Sequence, residues 1–243
     1  MRLDQELVVR GLCESRTEAQ ELIAGGKVFI NGIVCIKQTK QVIETDVLEV
    51  TAHRTYVSRG GEKLEGVMLD VFGDEDGCKA AIGGKHALDV GSSTGGFTDY
   101  LLKTGAEHVD AVDVGTEQMH ERLRNDARVS VYEQTDIRDF KSDTQYDIVV
   151  ADLSFISLDQ VLDTIVGHGK LGAFFFLLIK PQFEVGKGNT KKGIVKDEGL
   201  VQELLNEYER KAVSASLDGV KIFPCRIQGG DGNQEYFLVG RKQ

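Results

Sequence analysis

The sequence predicts a small α+β module followed by an α/β domain built on a mostly parallel sheet with a closing antiparallel hairpin. Three observations predict it. From residue 86 onward, apolar strands alternate with helical segments, the mark of parallel strands joined by helices. The last two strands follow one another across a Gly-rich turn. Ahead of both lies a separately patterned stretch with its own caps and its own hairpin signal.

In the N-terminal stretch, Ser15-Arg16-Thr17-Glu18 has the S-x-x-E form that caps a helix start, and Ala19, Leu22 and Ile23 then share one helical face. Gly25-Gly26 stops that helix. Asn31-Gly32 lies between two β-branched runs, 27–30 and 33–36, and predicts a tight hairpin. The expected order is helix, helix, hairpin, strand. A polar stretch ending at Arg59 breaks the pattern, so the expected division is a module over 1–54, a linker over 55–60 and a larger domain over 61–243.

The larger domain opens with an amphipathic helix in which Leu64, Val67, Met68, Val71 and Phe72 recur at helical spacing, with Lys63 in its first turn. Strands are expected at 86–90, 109–114, 129–133, 146–151 and 173–179, with helices at 97–104, 116–124 and 157–167. The final pair of strands spans 219–227 and 235–240. Ligands of such sheets bind beyond the carboxyl ends of the strands.

Composition narrows the function classes. The 243 residues are 41% hydrophobic, enough for a real core, and carry a net charge of −10, which argues against bulk electrostatic capture of nucleic acid. Residues 1–60 hold eight basic and eight acidic side chains, so the acidic excess lies in the larger domain. The N-terminal residues do not read as a secretion signal, and the longest strongly apolar run, 173–179, is far short of the roughly 20 residues that span a bilayer. A cytoplasmic protein is expected. Cys13, Cys35, Cys78 and Cys225 are dispersed, without metal-ligand spacing.

The strand ends carry the chemistry. Asp89-Val90-Gly91-Ser92-Ser93-Thr94-Gly95-Gly96-Phe97-Thr98 runs from strand through a Gly-rich turn into a helix, where backbone amides can meet a ligand closely. The spacing Gly-x-x-x-Gly-Gly departs from the dinucleotide pattern, and no Lys-Ser/Thr follows as in a phosphate-binding loop. Asp89, Asp113 and Asp136 fall at three successive strand ends, which matches S-adenosylmethionine. Asp89 would orient the methionine portion near the turn, Asp113 would accept from the ribose hydroxyls, and Asp136 would meet the adenine amine.

Further strand ends supply Asp152, Lys180 and Glu235, which with Lys63 make a Lys, Asp, Lys, Glu set. Asp152 opens Asp-Leu-Ser-Phe where adenine N6 methyltransferases carry Asp/Asn-Pro-Pro-aromatic, and no cysteine stands where a cytosine C5 enzyme needs its nucleophile. A hydroxyl target is favoured. Gly186–Gly199 brings Lys187, Lys191, Lys192 and Lys196 together among glycines, a basic loop suited to RNA. Phe97, Phe155 and Phe183 are either faces on which a base could stack or core residues.

Two resemblances complete the reading. Leu3-Asp4, Leu7, Arg10-Gly11-Leu12, Ser15-Arg16, Ala19 and Gly26-Lys27-Val28 resemble the RNA-binding domain of the ribosomal protein S-four type. The resemblance implies that Arg2, Arg10, Arg16 and Lys27 face RNA phosphates. Ser58-Arg59-Gly60-Gly61-Glu62-Lys63-Leu64, the Gly-rich turn, Asp-Leu-Ser-Phe-Ile-Ser-Leu, Ile-Lys-Pro-Gln-Phe-Glu and Gly-Asn-Gln-Glu-Tyr-Phe resemble the TlyA family over nearly the whole chain. The larger domain is similar to FtsJ-type ribose methyltransferases, with the Rossmann-like fold of S-adenosylmethionine-dependent enzymes.

That resemblance implies a catalytic tetrad of Lys63, Asp152, Lys180 and Glu235 acting on a ribose 2′-hydroxyl, with ribosomal RNA or assembled subunits as partner. Arg59 joins the residues expected to meet RNA. Lys180 is expected to orient the hydroxyl, with proton removal a second role that the charge of Asp152 opposes. An RNA base methyltransferase and a non-catalytic ribosome-assembly factor stay open beside this reading. Pore formation, implied by the haemolysin name the family has carried, is not expected without a spanning segment.

Overall fold

A computed structural model of the chain describes residues 1–51, 55–154, 156–186, 188–190 and 193–243. It divides into two compact units, Met1–Thr55 and Tyr56–Gln243.

In the smaller unit, helices α1 (Leu3–Val9) and α2 (Arg16–Ala24) precede a three-stranded antiparallel sheet of β1 (Val28–Ile30), β2 (Ile33–Val34) and β3 (Leu48–Val50), with β1 central. Ser15 caps α2 by accepting the Glu18 N–H at 3.2 Å. The Glu18 carboxylate reaches back one residue further than a capping box, to the Glu14 N–H at 2.8 Å. The hairpin turn has Asn31 and Gly32 at φ 51° and 77°, the paired left-handed conformation that selects Asn-Gly. Leu3, Leu7, Ala19, Ile23 and Val28 are the centre of a small core.

The larger unit begins at Tyr56, so most of the stretch expected as a linker is built into it. Tyr56 is buried, its hydroxyl donates to Glu65 at 3.0 Å, and its ring meets Tyr100 edge-on. The Val57 N–H donates to Asp99 at 2.9 Å, and Arg59 already belongs to helix α3 (Arg59–Phe72). An aromatic and a β-branched residue with a core to enter are a poor free linker. Polarity of the flanking residues hid this in the sequence.

Next come α4 (Glu75–Ile82), β4 (His86–Val90), α5 (Gly96–Thr104), β5 (His108–Val112), α6 (Glu121–Arg124), β6 (Val129–Tyr132) and β7 (Tyr146–Ala151). The chain continues through a 3₁₀ turn (Leu158–Gln160), α7 (Leu162–His168), β8 (Gly169–Ile179), α8 (Pro181–Glu184), α9 (Glu198–Ser214), β9 (Leu217–Pro224) and β10 (Tyr236–Lys242). Among the described residues the strands form one sheet in the order β6-β5-β4-β7-β8-β10-β9, parallel except for β10, which runs antiparallel to both β8 and β9.

Successive strand residues face opposite sides, as the period of two requires. Ala87, Ile148 and Phe176 pack with α3, α4 and α5, while Leu88, Val149 and Phe175 pack with α7 and α9. Three helices, α4, α8 and α9, lie where no helix was expected. The helix expected over 116–124 shortens to α6, because 113–118 form a turn in which the Asp113 carboxylate accepts the Gly115 N–H at 2.6 Å.

Candidate active site

The sheet brings the predicted chemistry to one edge. Val90 of β4 is level with Ala151 of β7, and Ile179 of β8 with Tyr236 of β10. Asp152, Lys180 and Glu235 therefore leave the sheet together, and α3 supplies Lys63 as its fifth residue, in the second turn, where the expected start near Gly61 implied the first.

The four side chains form two ion pairs. Lys63 Nζ meets Glu235 Oε2 at 2.5 Å with both groups buried, and Lys180 Nζ meets Asp152 Oδ1 at 2.5 Å. Lys180 also donates to Ser154 Oγ at 2.9 Å, and its ammonium lies 5.9 Å from the centre of the half-exposed Phe183 ring. Gln182 reaches Glu235 Oε1 at 3.5 Å. Burial pushes the nearby Cys225 thiol up to about 12, so it stays protonated and is no nucleophile.

Beside the tetrad lies a cavity of about 330 Å³, within the size range of small-ligand pockets. Gly91, Ser93, Asp113, Asp136 and Asp152 line it, against apolar walls that include Val90, Val112, Ile137 and Leu153. Gly91 is required here: at φ +78° a Cβ would stand 2.6 Å from the Asp152 carbonyl oxygen. Asp113 fixes the turn, accepting the Ser93 N–H at 2.8 Å on one oxygen and Gly115 on the other, and a carboxylate so engaged keeps further lone pairs. Arg138 pairs with Asp136 at 2.5 Å and holds its carboxyl at about 2, well ionised.

The other turn residues stand behind this surface. Asp89 is fully buried and outside the cavity lining, and its Oδ2 accepts the Thr98 N–H at 2.9 Å and the Thr98 hydroxyl at 2.6 Å. It ties β4 to α5 where a ligand contact was expected. Burial raises its carboxyl to about 7, against the two Thr98 bonds, with Asp152 and Asp113 adding to the rise. Ser92 is buried and its carbonyl accepts the Gly95 N–H at 2.7 Å; the Thr94 carbonyl accepts the His120 N–H at 3.2 Å. A side chain on Gly95 would strike Leu123 and Met119, and one on Gly96 would strike Ser58. Phe97 packs on Phe237 with ring centres 5.8 Å apart and is core.

Sequence reasoning missed the apolar half of the cavity, including Val112, Ile137 and Val161, and the polar Gln118, Thr135 and Ser154. The strand-end rule that found Asp113 and Asp152 reaches Val112 too, but an apolar residue there looks like ordinary core. Asn233 was missed as well. Buried one residue from Gln234 in the Gly-Asn-Gln-Glu run, it accepts the Val195 N–H at 3.0 Å and donates to the Gly193 carbonyl at 2.9 Å, fastening the end of the basic loop.

Of the residues expected to meet RNA, Arg10 has a different task. Its guanidinium pairs with Glu6 at 2.9 Å and donates to the carbonyls of Asp46 at 2.6 Å and Ile43 at 2.9 Å, closing the loop before β3. Arg2 and Arg16 both pair with buried Asp4, at 2.9 and 3.1 Å, and hold its carboxyl well below the usual range despite burial. Both remain substantially exposed. Lys27 is exposed. Arg59 donates to the Gln228 carbonyl. Lys187, Lys191, Lys192 and Phe155 lie outside the described residues.

A parallel sheet reversed at its last hairpin, with a Gly-rich turn after its first strand and acidic residues at the next strand ends, is the arrangement of an S-adenosylmethionine-dependent methyltransferase. The family model described as FtsJ-like methyltransferase matches residues 56–242, and that of the S4 domain matches residues 1–47. The chain belongs to the TlyA family of FtsJ-like methyltransferases. It is 44% identical, over 100% of its length and 90% of the relative's, to the 16S/23S rRNA (cytidine-2′-O)-methyltransferase TlyA of Mycobacterium tuberculosis. It is 34% identical, over 98% of each chain, to the 23S rRNA (cytidine-2′-O)-methyltransferase TlyA of Campylobacter jejuni. A solved structure from Streptococcus thermophilus that bears the name hemolysin aligns with 100% of this chain and 88% of its own, at 33% identity and TM-score 0.76. Among the described residues no helix is long and apolar enough to cross a membrane.

Proposed function

We propose that this chain binds S-adenosylmethionine in the cavity at the carboxyl ends of β4, β5 and β7 and methylates a ribose 2′-hydroxyl of ribosomal RNA in the cytoplasm. The observation that carries the proposal is the pair of ion pairs, Lys63 with Glu235 and Lys180 with Asp152, set beside that cavity and sharing Asp152 with its wall. The activities named for the two rRNA-modifying relatives agree with it.

The residues present fit the cofactor. Apolar walls suit a purine, Asp113 suits the ribose diol, the ionised Asp136 suits the adenine amine, and Gly91 leaves backbone approachable where any side chain would collide. When bound, S-adenosylmethionine supplies an electrophilic methyl group on a sulfonium sulfur.

The protein's part is alignment and proton handling. Lys180 would orient the hydroxyl oxygen through an N–H donated to it, toward the methyl group that bound S-adenosylmethionine would supply, the O–C bond formed replacing the C–S bond lost. Asp152 and Ser154 fix the ammonium, and Glu235 fixes Lys63, whose ammonium favours loss of the hydroxyl proton. The hydroxyl proton leaves to a basic group at this site or to water. Holding nucleophile and electrophile in line can supply about 7–11 kcal/mol. Arg2, Arg16 and Lys27 of the smaller unit, with Arg59 and the basic loop of Lys187, Lys191 and Lys192, serve as RNA contacts.

The test is transfer of labelled methyl from S-adenosylmethionine to separate ribosomal subunits, whole ribosomes and bulk transfer RNA from cells lacking the enzyme. Label recovered in ribosomal RNA as an alkali-resistant 2′-O-methyl supports the proposal and names the nucleotide. An alkali-labile methylated base overturns it in favour of base methylation, and absence of transfer to every RNA overturns it in favour of an assembly role.

A further inference from the structure

Two loops leave the sheet side by side, one after β7 and one after β8. The first, 152–158, carries Asp152 and Ser154 and forms a wall of the cavity through Asp152, Leu153, Ser154 and Ile156. The second, 180–184, carries Lys180 and α8. At the near end they are tied by Lys180, through Asp152 and Ser154.

They are tied again at the far end by a carboxylate the mechanism does not use. Glu184 Oε1 accepts the Leu158 N–H at 3.1 Å, and Oε2 accepts the hydroxyls of Ser157 and Tyr208, each at 2.6 Å. Tyr208 stands on α9, is buried, and receives the Asp159 N–H on its oxygen at 3.3 Å. Burial and the Glu184 carboxylate push the phenol well above its usual range, so it stays a donor. Hydrogen bonds from hydroxyls to an ionised carboxylate are the strong kind, and three donors converge on this one residue.

We infer that Glu184, with Ser157 and Tyr208, is a positioning clamp that holds the loop bearing Lys180 in register with the loop forming the cofactor wall. The inference rests on the function proposed above. Its physical content is that reacting groups must be set closely: a displacement of about 1 Å caused by a remote change can cost about 10²-fold in rate. Glu184 fixes the rigid-body position of α8, and α8 begins one residue after Lys180. Without it, the two loops stay tied only at the near end, through Lys180 with Asp152 and Ser154, and their register at the far end is no longer fixed.

The experiment compares wild type with Glu184→Ala, Glu184→Gln and Tyr208→Phe for kcat and for KM on ribosomal subunits, for S-adenosylhomocysteine affinity by calorimetric titration, and for melting temperature. The expected result is a kcat lowered about 10²-fold in Glu184→Ala and about tenfold in Tyr208→Phe, with KM for the subunit unchanged. Glu184→Gln, which keeps one carbonyl acceptor, falls between wild type and Glu184→Ala, and S-adenosylhomocysteine binds several-fold more weakly to Glu184→Ala. A lowered melting temperature with unchanged kcat marks a merely structural role and overturns the inference. If Glu184→Ala does not fold, Tyr208→Phe, which deletes one oxygen, decides by the same kcat criterion. Should wild type itself transfer no methyl to ribosomal RNA, the functional proposal falls separately, and the S-adenosylhomocysteine titration decides the clamp: weakened binding upholds it and unchanged binding overturns it.

Discussion

Lys63 and Glu235 stand 172 residues apart, and their charged groups meet at 2.5 Å in a site that leaves less than a tenth of either side chain exposed. Neither charge would be stable there alone. Glu235→Ala strands a buried ammonium and should destabilise the chain by about 3–5 kcal/mol. The double variant Lys63→Met/Glu235→Leu removes both charges at similar volume and should recover most of that loss without recovering methyl transfer. Melting curves and transfer assays on the three proteins check this. A double variant as unstable as the single one would mean the cost is packing, and one with wild-type activity would take the pair out of the machinery.

Lys180→Ala should lower methyl transfer by about 10²–10⁴-fold, the usual worth of a positioned proton-handling or orienting group. S-adenosylhomocysteine affinity should stay within a few-fold of wild type, because Lys180 touches the cavity only through Asp152 and Ser154. Single-turnover rates with saturating subunits, beside a cofactor titration, separate the two effects. Wild-type transfer by this variant would end the assignment.

Gly91→Ala should lose cofactor affinity at least tenfold while leaving ribosome binding alone. The new methyl group meets the Asp152 carbonyl at 2.6 Å and the backbone sits at φ +78°, a strain of about 1–3 kcal/mol for a non-glycine residue. Relief requires moving the turn away from Asp152, which opens the cavity floor. Equilibrium dialysis with labelled S-adenosylmethionine reads the affinity, and unchanged binding would show the turn is not part of the site.

The strand alternation from residue 86 made the α/β domain legible, because the central strands β4, β7 and β8 are apolar on both faces and the crossovers are long enough for a helix. Strand order was not legible, since it depends on pairing between distant segments. The tetrad was read from strand ends, yet only the reversed β10, placed against β8, shows that Glu235 comes beside Lys180's loop while meeting Lys63. Asp89 reads like Asp113 in sequence, an acidic residue at a strand end. Two residues of register separate them: Asp89 is level with Ala111 inside β4 and fully buried, whereas Asp113 lies just past β5 and lines the cavity. Tyr56 misled for the opposite reason, its polar neighbours outweighing one buried ring.

Arg10 and Lys27 should separate in an RNA-binding assay. Arg10 spends its donors on Glu6 and on the carbonyls of Ile43 and Asp46, so Arg10→Ala should lower the melting temperature of the smaller unit with little change in the salt slope of RNA binding. Lys27 is exposed, and Lys27→Ala should reduce that slope by about one while leaving stability unchanged. Filter binding across a salt series, with melting curves, tests both. Equal loss of slope for the two residues would mean Arg10 leaves its intramodule partners to meet phosphate.

Asp89 gives the chain a pH dependence of unusual sign. Its carboxyl sits at about 7 in the folded protein, chiefly from burial, against 3.8 for an aspartate free in water. Between those values the folded state holds a proton that the unfolded state has lost, so stability should fall as pH rises from about 4 to about 7 and then level off. The contribution of this one group approaches about 1.4 kcal/mol per pH unit within the window. Most paired carboxylates act the other way: Asp4, held low by Arg2 and Arg16, contributes stability that is lost only in acid. Asp89→Asn keeps an acceptor for Thr98 and cannot ionise, so its stability relative to wild type should grow from pH 5 to pH 7. Chemical denaturation of both proteins at half-unit steps measures the difference directly. A difference independent of pH over that range would place the Asp89 carboxyl at an ordinary value and leave the tie between β4 and α5 ionised throughout.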